Sequence, residues 1–109
     1  MVAKKYGGSE MKVQFTESEV KTMQTALDQW GLNAQVGVAV EECAELIVVL
    51  QKYVNRSKKP DVDEILDEIA DVEMMLAQMR LSLGIDDDTL RKRIECKFGK
   101  LNQYLLEER

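Results

Sequence analysis

The sequence predicts an all-α protein, a four-helix antiparallel bundle that assembles as a homo-oligomer. Three observations lead there. Helix-forming residues dominate and punctuation is sparse, with one proline and 6% aromatic residues in a chain of 109, a composition far from that of strand-rich folds. Apolar residues recur three and four apart along successive stretches, the period of a helix face. Residues that favour helix caps stand at the heads of these stretches.

Residues 1–14 show no clear period, and Lys4, Lys5, Gly7, Gly8 and Ser9 suggest a flexible lead-in, with Met11 a second candidate start. Residues 15–109 are expected to form one domain, since a chain of this size supports a single core. The first helix opens at Thr16, with Glu19 completing a capping box and Phe15 and Val20 spaced as a hydrophobic staple. Val20, Met23, Leu27 and Trp30 then share one face, and Gly31 ends the helix. Asn33 is the expected cap of the second helix, which runs to about Asn55 and is apolar nearly all round. A helix of that kind is central or lies between subunits, and with the small chain it is the basis for expecting a homodimer or homotetramer.

A basic loop, Arg56-Ser57-Lys58-Lys59-Pro60, leads to Asp61 and Glu64, another capping-box spacing. The third helix has an expected core face of Ile65, Ile69, Val72, Met75, Leu76, Met79 and Leu83, with Gly84 and Ile85 as its stop. Asp86-Asp87-Asp88 suit the positive end of a fourth helix, which carries Leu90, Ile94, Phe98, Leu101 and Leu105 on one face and Arg91, Lys92, Arg93, Lys97 and Lys100 elsewhere. Short connections between four helices give an antiparallel bundle.

Charge and composition narrow the function classes. The net charge of −5 argues against a protein that coats a nucleic-acid polymer, which carries a basic face. No apolar run is long enough to span a bilayer, and nothing at the start resembles a signal peptide, so a cytoplasmic protein is expected. Two cysteines, Cys43 and Cys96, in helical stretches fit a reduced compartment and read as buried, inert thiols. The absence of histidine disfavours most zinc sites and histidine-containing di-iron bundles.

Against that background, two acidic pairs stand out. Glu42-Cys43-Ala44-Glu45 is followed about 26 residues later by Glu68-Ile69-Ala70-Asp71. At about 100° per residue, Val49, Tyr53 and Leu46 fall roughly −20°, +20° and +40° from Glu42, while Glu45 falls near −60°. Met75, Met79 and Val72 stand in the same relation to Glu68, and Asp71 in that of Glu45. The first acid of each pair therefore sits in the middle of an apolar stripe. A solvated acidic face would not put its charge there, and burying carboxylates without a counter-charge is strongly unfavourable. Carboxylates alone suit a hard cation, Mg2+ or Mn2+ in its place, and such an ion can promote hydrolysis of a phosphoanhydride.

The paired motif, Glu41-Glu42-Cys43-Ala44-Glu45 and then Glu68-Ile69-Ala70-Asp71, resembles that of the small MazG-like all-α nucleoside triphosphate pyrophosphohydrolases. Lys97-Phe98 with Lys100 on the last helix is also similar to the family pattern, and the likeness covers roughly residues 15–105. The resemblance implies that Glu42, Glu45, Glu68 and Asp71 bind Mg2+, and that the enzyme converts (d)NTPs to the monophosphate and pyrophosphate, as in house-cleaning of the nucleotide pool. Glu41 and the four ligands would then include the catalytic base, and Lys97 would contact phosphate. Many family members carry Asn two residues before that lysine and Arg shortly after it. Here Glu95 holds the first place, and Lys100 is the nearest stand-in for the second.

Each remaining candidate has a plainer reading beside the functional one. Lys97 and Lys100 also read as solubilising charges near a helix C-terminus, and Arg56, Lys58 and Lys59 as a solvated loop. Trp30 is a core or interface aromatic, or a stacking surface for a base; Gln35 and Asn33 are candidate readers of base edges. Met74, Met75 and Met79 read as core or interface filling. The rival to the enzyme is a module that binds nucleotide or metal without catalysis, or a structural helical bundle that mediates contacts.

Overall fold

The structure, a computed structural model, describes residues 15–55 and 61–108. The expected lead-in (1–14) and the basic loop (56–60) lie outside the described residues. The described residues form four helices: α1 Glu17–Trp30, α2 Leu32–Asn55, α3 Val62–Leu83 and α4 Asp87–Glu107. No strand occurs among the described residues.

The caps explain where each helix starts and stops. Thr16 Oγ1 accepts from the Glu19 N–H at 3.1 Å, and Glu19 Oε1 accepts from the Thr16 N–H at 2.8 Å, so the capping box is complete. Gly31 takes a positive φ of 86° that favours glycine, and its N–H donates to the Leu27 carbonyl. The same residue begins α2, because its carbonyl accepts from the Gln35 N–H at 3.2 Å. Asn33 therefore lies inside the first turn of α2 rather than at its cap, a correction with a simple cause: one glycine ends one helix and starts the next. Asp61 caps α3 by accepting from the Glu64 N–H at 3.1 Å. Gly84 closes α3 in the left-handed conformation, φ 66° and ψ 31°. Asp86 caps α4 by accepting from the Thr89 N–H at 2.8 Å, and that bond holds its carboxyl below the usual aspartate range.

The helices do not contribute equally to the core. α2 and α3 pack against each other along their length, and α1 lies on both. α4 packs against none of the three; an ion pair at its first turn, Arg80 to Asp87 at 3.4 Å, spans the junction. The chain extends 50 × 37 × 24 Å with a radius of gyration of 16.8 Å, against about 13 Å for a compact domain of about 100 residues. The all-α class and the four helices are present, and three of the four helices pack together.

Met23 of α1, Ala39 of α2, and Val72, Met75 and Ala77 of α3 form the core, joined by Gln35 and Gln78. Several expected core residues are outside it. Ile69, Leu76 and Leu83 on α3 are exposed, as are Phe98, Leu101 and Leu105 on α4, because no other described helix covers those stripes. Met75 is buried and Met79 half-buried, while Met74 is exposed. Cys43 and Cys96 are free and exposed, not buried: each lies on a helix face turned away from the packed seam.

Candidate metal centre

The site is built by the α2–α3 pair alone. Each helix contributes two carboxylates one turn apart, which share a face because residues three apart in a helix are neighbours. Across the pair, Glu42 meets Asp71 and Glu68 meets Glu45, the matching expected of antiparallel helices. One oxygen from each of Glu42, Glu45, Glu68 and Asp71 lies within 4.8 Å of the others. The sequence places the four residues two by two, and the fold joins the pairs.

The electrostatics follow from crowding. Glu42 is pushed up to about 7 by partial burial first, and then by the charges of Glu45 and Asp71. Glu68 is raised for the same reasons, burial first and then Glu45 and Asp71. Glu42 Oε2 and Glu68 Oε2 are buried without a hydrogen-bond partner. These are the two acids that the helical wheel puts in the middle of the apolar stripes. Buried acceptors without donors are unfavourable, and no cationic side chain pairs with any of the four among the described residues. A divalent cation fits both features: it takes hard oxygen donors, and it offsets the repulsion that raises the two glutamates.

Other expected site residues lie elsewhere. Glu41 is exposed on α2, beside but outside the four-acid group. Lys97 and Lys100 are exposed on α4, which meets α3 only at its first turn and packs along neither acid-bearing helix. Trp30 is exposed at the end of α1, and Gln35 is buried on α2 with only 5% of its surface accessible. The structure therefore brings together the four acids but not Lys97 and Lys100 with them.

Sequence reasoning passed over Gln78. It is buried, and its Oε1 has no hydrogen-bond partner. Seven residues beyond Asp71, it stands two turns along the same helix face, about 10 Å away by helical rise. That interval was the available signal. A hollow of about 350 Å3 lies apart from the acids, between α1, the end of α3 and the start of α4. Phe15, Val20, Met23, Ala77 and Leu81 line it, with Arg80 and Asp87 adding charge, and none of the four carboxylates does.

No family model matches the chain, and neither a curated protein nor a solved structure does. No helix among the described residues is long and apolar enough to cross a membrane.

Proposed function

We propose that the protein is a Mg2+-dependent nucleoside triphosphate pyrophosphohydrolase of the MazG-like kind, acting in the cytoplasm as a homodimer or homotetramer. The observation that carries this reading is the gathering of Glu42, Glu45, Glu68 and Asp71 at the α2–α3 seam, with ligand oxygens within 4.8 Å of one another. The unpaired oxygens on Glu42 and Glu68 support it, as does the likeness of the motif to that family.

In this reading the four carboxylates hold the ion, with Mn2+ able to replace Mg2+. A divalent cation supplies neutralising charge for a phosphoanhydride and makes water a better nucleophile. Ligands must be deprotonated, so the ion competes with the proton for Glu42, raised to about 7, and Glu68, raised in the same direction, is a ligand beside it. Glu45 and Asp71, on the edge of the stripe, complete the set. Glu41, exposed beside them, accepts a proton from the attacking water, a role it shares with the ligands as candidates. Lys97 and Lys100 neutralise charge on the phosphates only once α4 is brought to the acids, by movement or from another copy. Trp30 is offered as the stacking surface for the base and Gln35 as a reader of its edge, which requires Gln35 to become accessible.

The direct test is release of pyrophosphate from a panel of dNTPs and NTPs with Mg2+. Turnover of at least one, abolished in Glu68→Gln, is the expected result. No turnover by folded protein would leave a binding or structural module as the better reading.

A further inference from the structure

The seam between α2 and α3 carries a polar layer besides the acids. Gln35 stands seven residues before Glu42, and Gln78 stands seven residues after Asp71. Seven residues are close to two helical turns, so each glutamine lies within about 20° of its acid on the helix face and about 10 Å from it along the axis. Glu42 meets Asp71 across the seam, and the two helices run antiparallel. Equal steps away from that meeting point therefore set Gln35 opposite Gln78. Each has only 5% of its surface accessible.

This layer is unfavourable by itself. Gln78 Oε1 is buried and accepts no hydrogen bond, so the Gln35 amide does not serve it. A buried carbonyl oxygen without a donor destabilises a fold, and an apolar side chain of similar size fills the same space without that cost. A local rule broken at a buried position, with no compensation from the fold, points to function. The missing group is a donor. Phosphate oxygens offer acceptors and cannot supply it. An amide presents an acceptor and a donor side by side, which matches an edge that carries an N–H next to an acceptor, and nucleobases have such an edge.

We propose that Gln78, opposite Gln35, determines base specificity: Gln78 Oε1 accepts an N–H from the pairing edge of a nucleobase, and the two amides donate to the acceptors beside it. The proposal rests on the reading of the acids as the metal and phosphate end of a nucleotide site. The sugar and the ring of a nucleoside triphosphate span the interval between the two layers, so one ligand reaches both. α1 packs on the α2–α3 pair less extensively than those two helices pack on each other, which makes it the element that yields to admit the ring. The orphaned oxygen is then satisfied only in the complex. A site built around such a hydrogen bond rejects a base that lacks the donor.

Calorimetric binding of α,β-imido deoxynucleotides with Mg2+ tests it, each base being compared with the form methylated on its pairing-edge nitrogen. The full-length wild-type protein should bind at least one unmethylated analogue about tenfold or more tighter than its methylated form. Gln78→Met should lose that preference, keep the Mn2+ affinity of the wild type and melt at or above it. Equal binding of the methylated and unmethylated forms by the wild-type protein, or a preference that survives Gln78→Met, would overturn the proposal. If Gln78→Met does not fold, the methylation contrast in the wild-type protein still decides. Failure of the underlying reading looks different. Edge-selective binding without pyrophosphate release from ordinary dNTPs would remove the hydrolase and keep the base site. Pyrophosphate release without edge selectivity would keep the hydrolase and remove the base site. No binding of any nucleotide would overturn both.

Discussion

At the residue scale, the account turns on Glu42 and Glu68. Their carboxyls are raised by partial burial and by the neighbouring acids. For Glu42 the value moves from 4.5 to about 7. The folded state therefore binds a proton more readily than the unfolded chain, and stability falls as pH rises between those two values. The metal-free protein should show a melting temperature that declines from about pH 5 to about pH 7. Added Mg2+ competes with the proton, so the increase it brings should grow across the same range. A melting temperature that rises with pH in the absence of metal would contradict the crowded cluster. Met75, 3% exposed, makes a separate point about packing: Met75→Ala should cost about 2–5 kcal/mol in denaturant unfolding, with no effect specific to metal.

At the element scale, the helix boundaries were the most legible part of the sequence. Thr16, Glu19, Asp61, Gly84 and Asp86 act where their chemistry predicts, because caps are local and need no tertiary information. Asn33 failed as a cap since Gly31 already serves both α1 and α2. Thr16→Ala should lower stability by about 1 kcal/mol, read as a fall in melting temperature of a few degrees. Gly84→Ala should cost about 1 kcal/mol or more, because its φ of 66° is unfavourable for alanine. An unchanged melting temperature in Gly84→Ala would show that the α3–α4 junction adopts another conformation in solution. The third-helix core was only partly legible. Period alone marks Ile69, Leu76 and Leu83 as apolar, but it does not distinguish a face that the chain covers from one that it leaves bare.

At the scale of the whole molecule, the site was legible as two pairs of acids, and the fold supplied what the sequence lacks: the antiparallel match of Glu42 with Asp71 and Glu45 with Glu68. Lys97 and Lys100 were the least legible, because their distance from the acids depends on where α4 goes. That direction is set by the junction at Gly84 and Asp86 and not by the helix pattern. Gln78 went unnoticed since its seven-residue interval from Asp71 marks a shared helix face, whereas its burial is set by the fold. Among the described residues, the extended shape and the exposed apolar residues of α2 and α3 have one physical cause: the core lies on one side of that helix pair only.

The central claim is that the four carboxylates bind a divalent cation, and calorimetric titration of Mn2+ into the wild-type protein and into Glu68→Gln tests it most directly. The account expects saturable binding by the wild-type protein, weakened by about tenfold or more when one ligand is lost. Wild-type protein that takes up no Mn2+, or equal affinity in the two proteins, would contradict it.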